Sequence, residues 1–329
     1  MKKIRKYIYL LLIFSYVSFT SCEDFALGEK FLQKPPSGDV TIDTIFSTAE
    51  YARRVLWYAY SKLPYGFSTG YNNSTSMRVG SIESLTDLAQ SYVGYAGADK
   101  LYYPGLYNAG SEDESGGEDH ATKYNMYARD PWKGIRHAWV FINNVDRVPD
   151  MTAEEKLRLK AEAKITIAVQ YSEMLRHYGA LPIVDHAIMP EEMGLPERAT
   201  LQQTVDFITR LLDEAIACKE LPWALPEDDL SNESGRMTGA AAMGLKLRVL
   251  LFVSDEPYFP GEASDKLMTW FGGYSEQRWK DAAKAGEDFF KSWKQGGFYE
   301  LVQKETATKN TIRQAFQDAY YTRGTTESL

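Results

Sequence analysis

Helical periodicity recurs along most of the chain after residue 46, and it restricts the fold more than any other feature. Six segments place apolar residues three and four positions apart, which is the spacing of one face of an α-helix. The predicted helices cover residues 47–63, 131–148, 152–178, 200–215, 238–254 and 276–293, and a seventh is expected near 311–321. Strand-like patterns are confined to 181–184 and 298–302. The sequence therefore predicts a mainly α fold.

Residues at the helix ends support these boundaries. Capping boxes, in which Ser or Thr is followed three residues later by Glu or Gln, are predicted at three helix starts: Ser47 with Glu50, Thr152 with Glu155, and Thr200 with Gln203. Pro64 should end the first helix, and Gly179 should end the third. The first helix is expected to bury Tyr51, Val55, Tyr58, Ala59 and Leu63. Phe46 and Tyr51 are placed to form a hydrophobic staple at its start.

Small and aromatic residues alternate on the later helices. Residues 240–242 are alanines followed by Gly244, and the next helix presents Trp279, Ala282, Ala283, Gly286, Phe289 and Phe290. Small residues let a neighbouring helix approach closely, and this alternation is typical of tetratricopeptide-type helix pairs, although the period here is irregular. We therefore expect tetratricopeptide-like helix pairs joined by long loops.

The first 25 residues have the pattern of a secretory signal. A cationic head at residues 2–6 precedes an apolar run at 7–19, which is too short to span a bilayer as a helix. Cys22 directly follows the small residues of the cleavage region, at the position that lipoprotein processing acylates. Residues 1–21 are thus predicted to be a lipoprotein signal peptide, with Cys22 lipidated. The alternative is ordinary secretion, with Cys22 incidental.

Charge and cysteine content exclude several classes of function. The formal net charge of −8 argues against nucleic-acid binding, which needs clustered Lys and Arg, and against adhesion to anionic head groups. Membrane attachment should therefore depend on lipid alone. Cys218, the other cysteine, is expected to be a buried structural thiol.

No cofactor or metal site is predicted. The four histidines lack a metal-ligand spacing, and the acidic run at 112–119 lacks the alternation of an EF-hand loop, so it is interpreted as a solvated loop. Residues 66–70 match G-x-S-x-G by letter but are not set between a strand and a helix, as a nucleophile elbow requires.

Several ordered motifs together resemble the SusD/RagB family of outer-membrane nutrient-binding lipoproteins. They are Cys22-Glu23-Asp24-Phe25, Phe46-Ser47-Thr48, Trp132-Lys133-Gly134-Ile135, Phe141-Ile142-Asn143-Asn144, Leu159-Lys160-Ala161-Glu162-Ala163-Lys164, Arg176-His177-Tyr178-Gly179-Ala180-Leu181-Pro182-Ile183, Gly235-Arg236-Met237-Thr238-Gly239-Ala240-Ala241 and Trp279-Lys280-Asp281-Ala282-Ala283. The resemblance implies a SusD-like N-terminal helical domain at 22–230 and the start of an incomplete C-terminal domain at 231–329. Family members are longer, so the chain resembles a C-terminally truncated member.

The resemblance implies a non-catalytic protein anchored to the outer membrane through Cys22 and facing the cell exterior. Such a protein acts as the lid of a SusC-like TonB-dependent transporter and captures oligosaccharides for import. Two alternatives remain open: a surface glycoside hydrolase on an α-rich scaffold, and a lid that binds peptide.

Two aromatic regions are candidates for the ligand surface. Residues 64–130 are predicted to be non-helical and ordered, because long loops in compact domains are commonly functional and disordered ones are rarely so aromatic. Aromatic faces stack on the C–H faces of sugar rings, while a few polar groups bind the hydroxyls. The candidate residues are Tyr71, Asn73, Arg78, Tyr102, Tyr103 and Tyr107 in the first region, and Trp270 and Tyr274 in the second, at 258–274.

Overall fold

The computed structural model describes residues 41–63, 86–88, 90, 103–106, 126–188, 192, 194, 196–225, 233–254, 267–304, 306, 308–321 and 326. The chain divides into two units, Met1–Thr44 and Ile45–Leu329. Of the first unit, residues 41–44 are described, and they begin a short helix in which the Thr44 backbone N–H donates to Thr41 Oγ1 at 3.2 Å. The domain boundary predicted near residue 230 stays a prediction.

The described residues form eight α-helices. They are α1 (Ile42–Ile45), α2 (Ala49–Tyr60), α3 (Met126–Asn144), α4 (Ala153–Tyr178), α5 (Leu201–Ile216), α6 (Gly239–Ser254), α7 (Glu276–Gly296) and α8 (Lys309–Tyr321), with a 3₁₀ turn at Val145–Arg147. The prediction of a mainly α fold is confirmed. The two predicted strands are wrong, because the β-type pairing found in the described residues is a single isolated bridge between Pro182 and Arg198.

Side-chain caps fix the starts of α2, α4 and α5, the three helices for which the sequence predicts capping boxes. Thr152 accepts a hydrogen bond from the Glu155 N–H at 3.1 Å, and Thr200 accepts one from the Gln203 N–H at 3.2 Å. Of these three caps, that of α5 is reciprocal, since Gln203 Oε1 also accepts from the Thr200 N–H at 2.9 Å. Helix α2 begins one residue later than predicted, because Thr48 rather than Ser47 is its cap.

Helix α4 lies at the centre of the core of the second unit and packs against α2, α3, α5 and α6. Its Tyr171 is fully buried and contacts Trp132 and Phe207 edge-on, with ring centroids 5.8 and 4.8 Å away. The Tyr171 hydroxyl donates to the Pro182 carbonyl and accepts from the Val184 N–H, both at 2.9 Å. Each large apolar side chain buried here contributes about 1.5–3 kcal/mol. The segment after α4 is thus held against the core by a side chain and not by a strand.

The buried face of α2 differs from the predicted one. Ala49, Ala52, Leu56 and Ala59 are buried, whereas the side chains of Tyr51 and Tyr58 are 45% and 39% exposed. The predicted stripe is therefore rotated by about one residue, although Ala59 belongs to both faces. The alanines allow a close approach to α3, where a Cβ on Gly134 would lie 3.5 Å from the Ala59 carbonyl oxygen.

The predicted staple between Phe46 and Tyr51 is also wrong. Phe46 is buried, and its ring instead lies 6.5 Å from that of Phe141 on α3. The aromatic partner of Phe46 is thus on a neighbouring helix, while Tyr51 is exposed.

The C-terminal helices are only partly buried. On α7, Ala282 and Ala285 face inward, but the predicted contacts Trp279, Ala283 and Phe290 are exposed. Trp223 packs between Phe289 and Tyr299, with ring centroids 5.9 and 6.0 Å from its own. Within the described part of the chain, none of the helices combines the length and the apolar character needed to cross a bilayer.

Candidate functional site

Residues 267–275, which lead into α7, form an ordered surface segment that carries two of the predicted ligand residues. Its backbone is joined to both ends of the connection between α4 and α5. The Ala180 N–H donates to the Met268 carbonyl at 3.0 Å, and the Leu201 N–H donates to the Leu267 carbonyl at 2.9 Å. These two bonds fix the segment to elements that precede it in sequence by more than 60 residues.

The segment approaches Gly179 closely. This glycine ends α4 with φ +73° and ψ −136°, a conformation that L-residues rarely adopt. A Cβ on Gly179 would lie 3.0 Å from the Met268 carbonyl oxygen. The glycine expected as a helix stop is therefore also required for the segment to dock.

Packing beneath the segment holds its aromatic residues in place. Met268 and Phe271 contact the hydrophobic core. The Arg278 guanidinium stands 4.8 Å from the centre of the Phe271 ring, and its Nη2 donates to the Gly273 carbonyl at 2.6 Å. Arg278, in the first turn of α7, thus holds the C-terminal part of the segment in place. The sequence analysis did not identify this residue.

Trp270 and Tyr274 both lie on this segment. Trp270 is half-buried, and the Tyr274 side chain is 68% exposed. Gly272 and Gly273, between them, have φ angles of +86° and +115°. The segment therefore exposes aromatic surface while its backbone is hydrogen-bonded to α5 at one end and to Arg278 of α7 at the other.

The other predicted site residues fall mostly outside the described part of the chain. Tyr103 lies in a turn at 103–106, and its side chain is 42% exposed. Tyr71, Asn73, Arg78, Tyr102 and Tyr107 lie outside the described residues, as do Cys22, the acidic run and the G-x-S-x-G match. Their assignment as ligand or lipidation residues stays a prediction.

A buried ionic cluster joins α4 to the residues before α6. Glu162 is fully buried, and its carboxylate accepts from Tyr60 Oη at 2.8 Å, Arg158 Nε at 3.0 Å and Arg236 Nη2 at 2.5 Å. Glu233 pairs with the same two arginines. Both carboxylates are thus occupied by guanidinium groups.

The environment of this cluster shifts the pKa values of Tyr60 and Glu233 in opposite directions. Burial, and then the charge of Glu162, raises the pKa of Tyr60 well above its ordinary value. Burial alone would raise the pKa of Glu233, but the bond from Arg158 and the charges of Arg236 and Arg158 hold it below its ordinary value. An ionised, paired carboxylate is poorly suited to donating a proton in general acid catalysis.

Histidine and cysteine side chains form no metal-binding group within the described residues. His137 Nδ1 lies 2.8 Å from the Lys133 carbonyl oxygen, and exposed His186 lies between Asp185 and Glu192, 2.8 Å from each. Bonding to Glu192, and then to Asp185, raises the pKa of His186. His120 and the side chain of His177 lie outside the described residues.

Cys218 is half-buried rather than buried. Its Sγ lies 3.6 Å from the Leu157 carbonyl oxygen and 3.4 Å from Glu220 Oε2. Burial raises the pKa of the thiol, which keeps it protonated and unreactive, as expected of a structural cysteine.

Three solved structures resemble this chain over most of its length. The protein BT4246 matches with a TM-score of 0.59 and 20% identity, covering 82% of this chain and 43% of that one. A SusD-like carbohydrate-binding protein of Bacteroides fragilis NCTC 9343 matches with a TM-score of 0.52 and 17% identity, covering 78% and 42%. A SusD homologue from Bacteroides thetaiotaomicron VPI-5482 matches with a TM-score of 0.53 and 18% identity, covering 80% and 50%.

The chain has the SusD-like fold. The predicted fold class, mainly α and SusD-like, is confirmed. No family model and no curated protein matches the sequence. In this SusD-like fold consecutive helices from α2 to α7 pack against one another, and the 267–275 segment follows the fifth of them. The chain spans half or less of the length of each of these three structures.

Proposed function

We propose that this protein binds carbohydrate without cleaving it, and that the 267–275 segment supplies part of the binding surface. The observation that carries the proposal is the likeness of the fold to a SusD-like carbohydrate-binding protein. The segment supports it locally, because it presents Trp270 and Tyr274 from an ordered backbone.

The physical reason for this assignment is preorganisation. A sugar ring offers C–H faces that pack against aromatic rings, and the net affinity is greater when the protein surface is already ordered. The hydrogen bonds of Met268 and Leu267 and the packing of Phe271 fix the backbone before any ligand arrives. The loop residues Tyr71, Asn73, Arg78, Tyr102, Tyr103 and Tyr107 are proposed as the second part of the ligand surface.

The pairing of Glu162 and Glu233 with arginines favours binding over hydrolysis at this cluster. A glycoside hydrolase uses two carboxyl groups, of which one is protonated and acts as an acid. Glu162 and Glu233 share Arg158 and Arg236, so both carboxylates of this cluster are engaged in ion pairs.

We further propose that the protein is the lipid-anchored lid of a SusC-like TonB-dependent transporter. The signal pattern at 1–21, followed by Cys22, supports a lipoprotein at the outer membrane that faces the cell exterior. In the native cell, Cys22→Ala should move the protein from the membrane to the soluble fraction. Copurification of the lipidated protein with a TonB-dependent transporter would support the lid role, and its recovery without one would refute that role.

Binding is tested by calorimetry of the form that starts at Glu23, against a panel of plant and host polysaccharides. We expect saturable binding without products. Trp270→Ala and Tyr274→Ala should each weaken it by about 3- to 10-fold, the equivalent of ~0.5–1.5 kcal/mol. The control is Trp279→Ala, which removes an exposed indole from α7, outside the 267–275 segment. Released oligosaccharide products would overturn the proposal, as would equal effects of Trp279→Ala and Trp270→Ala.

A further inference from the structure

A small pocket opens between α4 and α6. Its volume is about 110 Å³, and its walls are Ser172, Glu173, Leu175, Arg176, Leu245, Arg248, Val249 and Phe252. The Leu175 carbonyl accepts the N–H of Gly179 at 3.0 Å, and Gly179 in turn abuts Met268. The pocket therefore lies along the last turns of α4, next to the helix end on which the 267–275 segment docks.

The floor of the pocket is apolar. Leu175 and Val249 are buried, and Leu245 and Phe252 are half-buried against the core. The hydroxyl of Ser172 donates to the Val169 carbonyl at 2.8 Å, which leaves its oxygen lone pairs as acceptors. A ligand would therefore rest a hydrocarbon face on this floor and would depend on the other wall residues for charge recognition.

Two guanidinium groups and one carboxylate supply that charge. Arg176 pairs with Glu173 at 3.2 Å. Arg248 is exposed, and no carboxylate of the described residues lies within ion-pair distance of it. The pocket thus has an excess positive charge in a chain whose formal net charge is −8. A cation left uncompensated beside an apolar floor is suited to one negative group carried on an otherwise apolar face.

We propose that this pocket binds the anionic substituent, a carboxylate or a sulfate ester, of an acidic glycan whose neighbouring sugar contacts the 267–275 segment. This inference rests on the proposed carbohydrate binding. Arginine recognises carboxylate and sulfate-like oxyanions through paired N–H donors, which makes Arg248 the residue that sets the preference. The volume suits one substituent rather than a whole ligand, since drug-sized ligands occupy about 300–1,000 Å³.

The decisive comparison uses polygalacturonate and its methyl-esterified form, which differ in charge but share a backbone. Calorimetry at low salt should show that the acid form binds at least about tenfold more tightly. The preference should fall as salt rises, because exposed charges are screened over about 10 Å at 0.1 M. Dextran sulfate compared with dextran distinguishes a sulfate ester from a carboxylate as the preferred anion.

Variants assign the preference to the pocket. Arg248→Gln should bring the ratio of the two affinities towards one, and Arg248→Lys, which keeps the charge but loses the paired donors, should give an intermediate ratio. The control is Arg313→Gln, which removes one exposed arginine from α8. Thermal unfolding checks that each variant folds.

Equal affinities for the charged and neutral polymers would overturn this inference, as would the same response to Arg248→Gln and Arg313→Gln. If a neutral glycan binds and Trp270→Ala weakens it, the proposed function stands even though the inference fails. If none of the polysaccharides binds, both fail.

Discussion

Replacement of Gly179 by alanine should disturb the candidate site from a distance, and the chain contains a matched control. Gly179 ends α4 with φ +73° and ψ −136°, and Gly297 ends α7 with nearly the same angles, +61° and −142°. Each alanine variant should therefore carry the same backbone strain, about 1–3 kcal/mol. The two positions differ in space, because nothing lies within 4 Å of a Cβ on Gly297, whereas one on Gly179 meets Met268.

The additional cost at Gly179 comes from that contact. A Cβ 3.0 Å from the Met268 carbonyl oxygen is too close, so the 267–275 segment has to shift or the helix end has to move. Overpacking of this kind typically costs about 1–3 kcal/mol. We therefore expect Gly179→Ala to lower the free energy of unfolding by about 2–6 kcal/mol and Gly297→Ala by about 1–3 kcal/mol, as the sum of strain and contact requires.

The assay is urea unfolding of both variants, followed by calorimetry with whichever polysaccharide binds the parent protein. Gly179→Ala should also weaken binding about threefold or more, because a displaced surface has to be reordered by its ligand. Gly297→Ala should leave the affinity unchanged. Equal losses of stability in the two variants, or a loss of affinity in Gly297→Ala, would refute the reasoning.

Three further outcomes are expected elsewhere in the fold. Glu162→Gln should destabilise the protein by about 3–5 kcal/mol, because it leaves the charges of Arg158 and Arg236 partly uncompensated. Urea unfolding measures this, and a loss of less than about 1 kcal/mol would contradict the prediction. The pKa of Glu233 is lowered by folding, so its stabilising contribution is present above the ordinary value of 4.5 and is lost as pH falls from there through the folded pKa. Measuring the urea midpoint at successively lower pH checks this, and Glu233→Gln should make the midpoint fall less steeply with pH. Tyr171→Phe should cost about 1–3 kcal/mol, since it leaves the Val184 N–H without its acceptor, and an unchanged melting temperature would argue against that bond.

Local sequence signals predicted much of the fold correctly. The cap at Thr200 is confirmed, and the helical periodicity predicted at 200–215 corresponds to a buried face of α5 that includes Val205, Ile208, Leu212 and Ala215. Here most of the bulky apolar side chains of the helix are buried, so the periodicity and the packing agree. The stop at Gly179 is confirmed for the same kind of reason, because its positive φ is a local requirement.

The errors arise where packing with distant residues decides the outcome. On α2 the stripe of Tyr51, Val55 and Tyr58 has the bulkier side chains, but α3 approaches closely and the face with the alanines is the one that is buried. The predicted strand at 181–184 has no partner strand among the described residues, because the Leu181 N–H donates to Thr204 Oγ1 and the Val184 N–H to Tyr171. Side chains that supply such bonds across the chain leave no periodic signal.

At the candidate site, too, the local signals were readable from the sequence and the contacts with distant residues were not. Trp270 and Tyr274 were visible in the sequence as aromatic residues around a glycine-rich turn. The contacts that fix them were not, since Ala180, Leu201 and Arg278 carry no pattern that points to this segment. The sequence could therefore indicate which residues are candidates for ligand contact, but it could not show what orders them.

The bond from the Leu201 N–H to the Leu267 carbonyl has a consequence for the dynamics of the site. The first N–H groups of a helix have no partner within the helix, and here the first one of α5 is satisfied by the segment itself. Opening of the segment would expose that amide and the amide of Ala180 together, so both should exchange with deuterium as one cooperative unit. A ligand that immobilises Trp270 and Tyr274 should then slow exchange at Ala180 and Leu201, two positions that it need not contact.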